Sequence, residues 1–289
     1  MINGKTKLLG VIGHPVEHSL SPVMHNAAIA QLGVDYVYLP IPVKREDLSK
    51  AIAGFEAIGL VGFNITIPHK QAILPLLNHI SPEAKMIGAV NTVWRDQEGW
   101  SGTNTDVKGF MAPLQDLQKD WSQITPIVLG NGGAARAVVV GCWQLGCPKI
   151  AVVGRNEDKL KQFQQSWQNT PLQDVVKVHN LTELPGLISQ TQLLINSTPV
   201  GMSPQVDDSP VEAEVIKKLS SEAIAYDLIY TPNPTKFLQQ SQNQGAIAIS
   251  GLEMLIQQGA AALEIWLQQP VPVDVMRRSL INGSVLTKA

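Results

Sequence analysis

The sequence predicts an α/β protein of two domains, with a discontinuous N-terminal domain whose sheet is mainly parallel. Short β-rich runs alternate with helical patterns, and a second alternating series starts near Thr125 after a polar stretch. The chain after Gly251 is helical only, so its helices are expected to return to the first sheet. A length of 289 residues corresponds to about two domains. We therefore expect one domain over residues 1–106 and 251–289, and a second over residues 107–250.

The first domain shows strands and helices in alternation, which predicts a largely parallel sheet with helices on its faces. The first helix is expected to start with Ser21 as its cap and Pro22 in its first turn, and to end at Gly33. The expected strands cover residues 8–12, 34–39, 62–67 and 89–94, and the expected helices cover residues 21–33, 44–58 and 69–77.

The second domain begins with a helix and continues with six β-rich runs. Its expected strands cover residues 125–129, 149–153, 175–178, 193–196, 223–228 and 246–249. Its expected helices cover residues 107–117, a segment ending at residue 145, and residues 159–167. Two further helices are expected over residues 254–266 and 273–280, in the part of the chain assigned to the first domain.

Composition and charge exclude several classes of function. Apolar residues make up 44% of the chain and charged residues 16%, which is enough for a sizeable core. The net charge of -2 excludes the strongly basic surface of a nucleic-acid-binding protein. No apolar run approaches the roughly 18 residues of a membrane span, and the first ten residues lack a signal-peptide pattern. Cys142 and Cys147 suit neither a disulfide framework nor a zinc site, so we expect a reducing cytosol or organelle stroma, and predict a cytoplasmic protein.

A glycine-rich turn follows the first strand of the second domain, in the segment IVLGNGGAARA. Gly130, Gly132 and Ala135 fit the pattern G-x-G-x-x-G/A, in which the glycines allow a tight turn and close approach to a pyrophosphate. Free N–H groups at the start of the following helix would then bind the anion. Because a strand precedes the turn and a helix and second strand follow it, we interpret this domain as Rossmann-like and dinucleotide-binding. A tight structural turn in an ordinary α/β domain is the alternative.

The end of the second strand of this domain indicates which dinucleotide binds. An NAD site usually has an acidic residue here, which accepts hydrogen bonds from the adenosine ribose. Arg155 occupies this position, with Asn156 and Lys159 close by, and a guanidinium binds a 2′-phosphate as a fork. We therefore predict NADP as the cofactor. The alternative is a solvated arginine with Asp158 as its partner.

Four polar segments of the first domain are expected at the carboxyl ends of strands, where ligands bind in open parallel sheets. They offer hydroxyls, an amide, an ammonium and a carboxylate, which together suit a small polyhydroxylated acid. Lys70 beside Asp106 would form an acid–base pair. The segments are HSLSP (18–22), NITIPHK (64–70), GAVNT (88–92) and GTNTD (102–106), and the candidate residues are Ser19, Ser21, Thr66, Lys70, Asn91 and Asp106.

Each of these candidates also has a purely structural interpretation. Ser21 could serve only as the helix cap, and Asn91 and Thr66 could only satisfy the backbone of turns. Lys70 could be a surface residue at the start of a helix, although a cation is poorly placed at that positive end.

Seven segments, taken together, resemble the shikimate dehydrogenase family. They occur in order between about residue 9 and residue 264, and their combination is more specific than any one of them. The resemblance implies a two-domain α/β fold and the reversible NADPH-dependent reduction of 3-dehydroshikimate to shikimate, in the chorismate route to aromatic amino acids. The segments are VIGHPVEHSLSPVMHNAAIAQLGVDYVYLPIPV, GFNITIPHK, GAVNT, GTNTD, GNGGAARA, NSTPVGM and DLIYTPNPT.

The resemblance also implies roles for particular residues. It assigns the catalytic role to Lys70 and Asp106, and binding of the substrate carboxylate to Ser19 and Ser21. The other implied substrate-binding residues are Thr66, Asn91 and Gln258 at the ring hydroxyls, and Tyr230 near the carboxylate. The implied cofactor-binding residues are Gly130, Asn131, Gly132, Gly133, Ala134, Arg155, Asn156, Lys159, Thr198, Gly251 and Met254, of which Met254 borders the nicotinamide in relatives.

One segment departs from the family pattern. The family commonly has Asn-Arg-Thr after the second strand of the cofactor domain, where this chain has Gly154, Arg155 and Asn156. The arginine on which the NADP prediction depends is retained. Ser19 and Ser21 are both present, and quinate-using relatives often alter one of them, so shikimate is favoured over quinate.

Several interpretations stay open at this point. A quinate-active or dual-specificity dehydrogenase would share these features, and so would a non-catalytic NADP-binding regulator, although Lys70 and Asp106 argue against the regulator. A metal site formed by His14, His18 and His25 is disfavoured because no H-E-x-x-H pattern occurs, and no metal is predicted. The sequence leaves open whether the protein is a monomer or homodimer, and whether Lys70 donates the proton or only stabilises charge.

Overall fold

The structure, a computed structural model, describes residues 2–282. Within this range the chain forms two compact units. One consists of residues 2–109 together with 256–282, and the other consists of residues 110–255. Each unit is built on a six-stranded sheet with helices, so the prediction of a two-part α/β fold with a discontinuous first part is confirmed.

The strands and helices follow one another along the chain as expected for an α/β protein. The strands are β1 (Lys7–Gly13), β2 (Tyr36–Pro42), β3 (Gly62–Ile65), β4 (His79–Ile80), β5 (Thr92–Asp96), β6 (Gly99–Thr103), β7 (Ile127–Leu129), β8 (Ile150–Gly154), β9 (Val176–Asn180), β10 (Leu193–Asn196), β11 (Ile224–Asp227) and β12 (Ile247–Ile249). The α-helices are α1 (Ser21–Leu32), α2 (Leu48–Ala57), α3 (Pro82–Ile87), α4 (Asp106–Gln115), α5 (Gly133–Leu145), α6 (Glu157–Gln165), α7 (Leu184–Leu187), α8 (Ala213–Ile216), α9 (Lys236–Gln242), α10 (Leu252–Leu267) and α11 (Val273–Asn282).

The sheet of the first unit is mainly parallel, with the strand order β2-β1-β3-β5-β6-β4. Only β5 runs against the others, since it is antiparallel to both β3 and β6. The amino end of β5 therefore lies at the same edge of the sheet as the carboxyl ends of β3 and β6. This edge gathers residues from three separate segments of the chain.

The first helix begins and ends at residues that the sequence marks. Pro22 lies in its first turn, and Gly33 ends it with a φ of 65°, the left-handed conformation that glycine favours. The N-cap, however, is Leu20, and no side chain caps the helix. The prediction that Ser21 is the cap is therefore wrong.

The helices near the end of the chain pack against the first unit, α11 against α1 and α10 against the sheet. The Trp266 Nε1–H group of α10 donates a 2.9 Å hydrogen bond to the Val93 carbonyl oxygen of β5. A Cβ atom at Gly62 would lie 2.2 Å from that indole nitrogen, so the close approach requires glycine. This packing agrees with the expected return of the last helices to the first sheet.

The predicted helix over residues 69–77 is wrong. This segment forms turns and one short 3₁₀ helix, Leu74–Leu76. Pro75 has no N–H group for a helical hydrogen bond, and its ring would clash with the carbonyl of Gln71 in an α-helix. Instead, the buried His69 Nε2–H group donates a 2.7 Å hydrogen bond to the Val43 carbonyl oxygen and fixes the turn.

Three elements between residues 79 and 103 are missing from the sequence prediction, namely β4, α3 and β6. A start signal for α3 is present, because the Ser81 hydroxyl accepts a 3.2 Å hydrogen bond from the Ala84 N–H group and Pro82 lies in the first turn. The tight turn between β5 and β6, where Gly99 has a φ of 122°, makes these strands antiparallel.

The sheet of the second unit is entirely parallel, with the strand order β12-β11-β10-β7-β8-β9. This is the doubly wound order of Rossmann-like domains. The order reverses between β7 and β10, and ligands bind at the carboxyl ends of the strands at such a point. The expected Rossmann-like architecture is therefore confirmed.

Two expectations from composition can be compared with the structure. Cys142 and Cys147 are free and buried in the second unit, with 0% and 1% exposure, so they form no disulfide with each other. Among residues 2–282, none of the helices combines the length and apolar character required to cross a membrane.

Candidate active site

An ion pair joins Lys70 and Asp106 in the first unit. The Lys70 Nζ atom lies 2.5 Å from the Asp106 Oδ2 atom, and the two side chains are 18% and 6% exposed. Lys70 lies in the turn after β3, where its carbonyl oxygen accepts a 2.8 Å hydrogen bond from the Val90 N–H group. Asp106 is the first residue of α4. The interpretation of Lys70 as a surface residue at a helix start is therefore wrong.

The Lys70 ammonium has unused hydrogen-bonding capacity. Its bond to Asp106 is the only hydrogen bond of its Nζ atom within the described residues. An ammonium has three N–H donors, so two of them face no protein acceptor. These donors are available to an oxygen atom of a ligand.

Asn91 connects this pair to further substrate candidates. It immediately precedes β5, so its expected place at the carboxyl end of a strand is wrong, but the antiparallel direction of β5 brings it to the edge formed by β3 and β6. Its Nδ2 atom donates to the Asp106 Oδ1 atom at 2.9 Å and lies 3.2 Å from the Gln258 Oε1 atom. Residues that are far apart in sequence thus form one polar cluster in the first unit.

A buried polar layer behind this cluster is missing from the sequence prediction. The Asn91 Oδ1 atom accepts hydrogen bonds from the Thr105 N–H group at 2.7 Å and from the Thr92 hydroxyl at 2.9 Å. The Thr92 Oγ1 atom in turn accepts a 3.1 Å hydrogen bond from Asn64 Nδ2. An asparagine inside the apolar strand GFNI is the sequence signal that identifies this layer, because a buried amide requires partners.

Three hydroxyl candidates lie in the segments after β1 and β3. Ser19 is half-buried, and its Oγ atom accepts a 3.3 Å hydrogen bond from the Ser21 N–H group. Ser21 is buried, and its side chain faces the Tyr38 phenol. Thr66 is half-buried, and its hydroxyl makes no hydrogen bond within residues 2–282. The hydroxyl hydrogens of Ser19 and Thr66 are therefore available to a ligand.

His25 supports the turn that carries Ser21. Its Nδ1–H group donates a 2.9 Å hydrogen bond to the Ser21 carbonyl oxygen, and its ring stacks on Tyr38 with a centroid separation of 4.0 Å. The side chain is fully buried, and this burial lowers the pKa of His25 to about 4. The imidazole is therefore neutral at pH 7.

We expect His25 to make the protein less stable as the pH falls below about 6.5. The unfolded chain binds a proton between pH 6.5 and about 4 whereas the folded chain does not, so the free energy of unfolding falls through this window. At pH 5 the His25 contribution is a loss of about 2 kcal/mol relative to pH 7. Urea unfolding of the wild type and of His25→Gln at pH 5 and pH 7 gives the change in the free energy of unfolding for each protein. The difference between these two changes is the contribution of His25. An identical pH dependence in the two proteins would contradict the prediction.

The alternative metal site receives no support. His14 and His18 are exposed, whereas His25 is buried and bonded to the backbone. In the part of the chain that the structure describes, no group of three or more histidine, cysteine, aspartate or glutamate side chains could hold a metal ion.

The glycine-rich turn of the second unit lies where the sheet order reverses. Gly130 follows β7 with a φ of 100°, and a Cβ atom there would lie 2.9 Å from both Ser197 Oγ and Thr198 Cγ2. Gly132 is the N-cap of α5, and no side chain caps that helix. The buried Asn131 Nδ2 atom has no hydrogen-bond partner in the described residues. Uncapped N–H groups beside an unpaired buried amide fit the phosphates and ribose hydroxyls of a dinucleotide.

The residues after β8 lie at the surface of the second unit. Arg155, Asn156 and Lys159 are exposed, and the Arg155 side chain forms neither a hydrogen bond nor an ion pair with Asp158 or with any other residue between 2 and 282. Asn156 is the N-cap of α6, because its Oδ1 atom accepts a 2.9 Å hydrogen bond from the Lys159 N–H group. The Arg155 guanidinium is therefore free to bind an anion, and the alternative pairing with Asp158 is not formed.

Two buried polar side chains hold the loops after β10 and β11. Asn196 and Asp227 are neighbours in register, and Asn196 Nδ2 donates a 3.0 Å hydrogen bond to Asp227 Oδ1. The Thr198 hydroxyl donates to Asn196 Oδ1 at 2.7 Å, and the Thr235 hydroxyl donates to Asp227 Oδ2 at 2.6 Å. Burial outweighs these bonds and raises the pKa of Asp227 to about 6. This network fixes the loop that lies against Gly130.

Three of the remaining candidates, Tyr230, Gly251 and Met254, lie between β11 and the first turn of α10. Tyr230 is half-buried and belongs to the second unit, whereas Ser19 and Ser21 belong to the first. A Cβ atom at Gly251 would lie 2.1 Å from the Leu228 carbonyl oxygen, so glycine is required there. The other candidates of this unit are Met254, which is 8% exposed in α10, and Gly133 and Ala134, which begin α5.

A buried lysine–aspartate pair on one α/β unit and a Rossmann-like glycine turn on the other are typical of the class of nicotinamide-dependent dehydrogenases. A curated relative from Gloeothece citriformis, named shikimate dehydrogenase (NADP(+)), is 66% identical over 280 residues, with 97% of each chain covered. This chain belongs to the shikimate dehydrogenase family. The family model for the shikimate dehydrogenase substrate binding domain matches residues 11–93, and the model for the shikimate 5'-dehydrogenase C-terminal domain matches residues 251–281.

Solved structures with the same fold support this assignment. The crystal structure of shikimate dehydrogenase from Aquifex aeolicus is 37% identical, has a TM-score of 0.87, and is matched over 97% of this chain and 99% of its own. The shikimate 5-dehydrogenase from Thermus thermophilus, crystallised in complex with NADP(H) and shikimate, is 31% identical with a TM-score of 0.85, over 96% of this chain and 100% of its own. The predicted family is therefore confirmed.

Proposed function

We propose that this protein catalyses the reversible NADPH-dependent reduction of 3-dehydroshikimate to shikimate, a step of chorismate and aromatic amino acid biosynthesis. The observation that carries the proposal is the buried pair of Lys70 and Asp106, with two free ammonium donors, in a chain closely related to an enzyme named for this activity. The reaction consumes one ketone, one NADPH and one proton, and yields one secondary alcohol and one NADP⁺. We assign NADP binding to the second unit and substrate binding to residues of the first unit, with Tyr230 of the second unit as a further substrate-binding residue.

The first unit offers hydrogen-bonding groups that suit a hydroxylated ring acid. The free hydroxyls of Ser19 and Thr66 are donors for a carboxylate and for a ring hydroxyl. The Asn91 Nδ2 atom has two hydrogens but three acceptors within 3.2 Å, so one contact can be exchanged for a ligand. The proposed substrate-binding residues are Ser19, Ser21 and Tyr230 at the carboxylate, and Thr66, Asn91 and Gln258 at the ring hydroxyls.

Bound NADPH supplies the hydride that reduces the ketone carbon. Lys70 acts at the ketone oxygen, where negative charge develops during reduction. One N–H group of its ammonium is held by Asp106, and the other two are free to donate to this oxygen. Because the pair is largely buried, its electrostatic effect is stronger than it would be in water. Asp106 therefore orients the ammonium that stabilises the oxygen or delivers its proton.

The second unit offers an anion site at the start of α5 and a free guanidinium after β8. Gly130 and Gly132 form the turn, and Asn131 supplies an unpaired amide. Arg155 binds the 2′-phosphate of NADP, which NAD lacks. The proposed cofactor-binding residues are Gly130, Asn131, Gly132, Gly133 and Ala134 around the pyrophosphate, Arg155, Asn156 and Lys159 around the adenosine ribose, and Thr198, Gly251 and Met254 towards the nicotinamide.

The proposed function is tested by measuring NADP reduction with shikimate and with quinate in parallel. We expect turnover with shikimate and a lower kcat/KM with quinate. A higher kcat/KM with quinate would reassign the protein as a quinate dehydrogenase. Binding of NADP without turnover of either acid would instead support a non-catalytic regulator.

Ser21→Ala is expected to raise the KM for shikimate about 10- to 150-fold, because a hydrogen bond to a charged group contributes roughly 1.5–3 kcal/mol. The KM for NADP should change little. Ser101→Ala is a matched control, since Ser101 is a buried serine of the same unit whose hydroxyl bonds to Asp96. An unchanged KM for shikimate in folded Ser21→Ala would show that Ser21 does not bind the carboxylate.

We also propose a cytoplasmic enzyme that acts as a monomer or homodimer. The free, buried cysteines Cys142 and Cys147 are compatible with a reducing compartment. Sedimentation of the purified protein distinguishes the two oligomeric states, and cell fractionation tests the location.

A further inference from the structure

A line of hydrogen bonds with one consistent direction runs through the first unit towards Asp106. The Tyr38 hydroxyl donates to Asn64 Oδ1 at 2.7 Å, and Asn64 Nδ2 donates to Thr92 Oγ1 at 3.1 Å. The Thr92 hydroxyl donates to Asn91 Oδ1 at 2.9 Å, and Asn91 Nδ2 donates to Asp106 Oδ1 at 2.9 Å. These side chains are all buried, so no water competes with their bonds.

The amide of Asn91 is the critical point of this line. An asparagine amide has an oxygen end that accepts and a nitrogen end that donates, and the two ends have almost the same shape. Only the nitrogen end stabilises the Asp106 carboxylate, since the oxygen end would repel it. The orientation of this amide therefore decides whether Asp106 Oδ1 is satisfied, which leaves Oδ2 to hold Lys70.

The Thr92 hydroxyl is one of the groups that set this orientation. Its single hydrogen has two acceptors within reach, Asn91 Oδ1 at 2.9 Å and Thr105 Oγ1 at 3.1 Å, and the contact with Asn91 is the shorter. The Thr105 N–H group donates to Asn91 Oδ1 at 2.7 Å. Loss of the Thr92 hydroxyl should thus weaken the orientation of the Asn91 amide, while the Thr105 N–H group still holds its oxygen.

We propose that Thr92 is a positioning residue of the dehydrogenase reaction, which acts through Asn91 on the Asp106–Lys70 pair. This inference rests on the proposed function. Thr92 lies in β5 behind Asn91 and needs no contact with substrate or cofactor. Its effect is to keep the acceptor end of the Asn91 amide away from the carboxylate.

Thr92→Val tests this role, because valine has nearly the shape of threonine and fits a strand but lacks the hydroxyl. We expect a 3- to 10-fold lower kcat with shikimate, on the scale of about one buried hydrogen bond, and an unchanged KM for NADP. Thr92→Ser restores the hydroxyl and should restore kcat. If Thr92→Val does not fold, Thr92→Ala replaces it in the same comparison.

Thr103→Val is the matched control. Thr103 is the partner of Thr92 in the β5–β6 register, and its hydroxyl pairs with Ser81 at 2.8 Å instead of with the line to Asp106. Its kcat should stay at the wild-type value. An equal loss of kcat in both valine variants would mean that any threonine of this hairpin is merely structural, and would overturn the proposal.

A double-mutant cycle with Asp106→Asn separates positioning from a general loss of packing. If Thr92 acts through Asp106, Thr92→Val should have almost no further effect on kcat in the Asp106→Asn background. The same fold-loss in both backgrounds would overturn the proposal. Wild-type protein in the same assay tests the proposed function itself. Failure of the wild type to turn over shikimate would contradict both the proposed function and the role of Thr92. An active wild type with an equally active Thr92→Val variant would contradict only the role of Thr92.

Discussion

Replacing Lys70 by alanine is expected to lower kcat for shikimate oxidation by about 100-fold or more, the usual scale for a positioned acid–base group. The variant loses the only ammonium that is paired with Asp106 among the described residues, and with it the two donors that are free to reach the reacting oxygen. The KM for NADP should change little, since the proposed cofactor residues belong to the second unit. Steady-state kinetics with purified protein measure both quantities.

Asp106→Asn should lower kcat on a similar scale, because the amide removes the charge that holds the Lys70 ammonium. Lys108→Ala is the control for loss of a nearby lysine, since Lys108 is 64% exposed and pairs with Glu264 at 3.6 Å. Its kcat should match that of the wild type. A near-normal kcat in either Lys70→Ala or Asp106→Asn would show that the residue concerned is wrongly assigned.

Arg155→Ala is expected to raise the KM for NADP about 10- to 150-fold and leave the KM for NAD nearly unchanged. A charge-assisted hydrogen bond contributes roughly 1.5–3 kcal/mol to binding. NAD has no 2′-phosphate, so its binding does not depend on this bond. Because Arg155 is exposed, screening by water and salt places the effect towards the lower end of this range. The difference between wild type and variant should also shrink as salt concentration rises. The measurement is the KM for both cofactors at low and high salt.

Two further variants identify what the cofactor site requires of this position. Arg155→Lys keeps the charge but loses the planar fork, so its KM for NADP should fall between those of the wild type and Arg155→Ala. Lys161→Ala removes an exposed positive charge from α6 and should leave the preference for NADP intact. If Arg155→Ala kept the wild-type preference, selectivity would have to reside in Asn156 or Lys159.

The strands of the second unit were more predictable than those of the first because their signals are local, although the short helices α7, α8 and α9 are missing from the sequence prediction. Each parallel strand is a short apolar run, and the turn after β7 contains the glycines that its φ of 100° at Gly130 and its close approach to the next loop require. The prediction of α6 was displaced by two residues, since Asn156 caps the helix and Glu157 begins it. Such local patterns predict an element without knowledge of its neighbours.

The first unit was less predictable because its decisive features depend on tertiary pairing. The sequence indicates that Asn91 lies near a strand, but the antiparallel direction of β5 follows from the hairpin with β6, which the sequence prediction lacks. Likewise, the turn after β3 that carries Lys70 is fixed by two residues distant in sequence. The Val43 carbonyl oxygen accepts a hydrogen bond from His69, and the Val90 N–H group donates one to the Lys70 carbonyl oxygen. Thr92 could not be assigned from sequence, since its role depends only on which atoms its hydroxyl meets.

The discontinuity of the first unit has a consequence for synthesis on the ribosome. Its sheet is complete once β6 has emerged, but Trp266, which bonds to Val93 over Gly62, is made only after residues 110–255. At 5–20 residues per second this interval lasts about 7 to 30 seconds. During that time no Trp266 side chain packs on the face of the sheet around Gly62. The residues of the second unit, in contrast, have all been synthesised before α10 and α11 are complete. The nascent chain should therefore finish the inserted unit first and close the enclosing unit last.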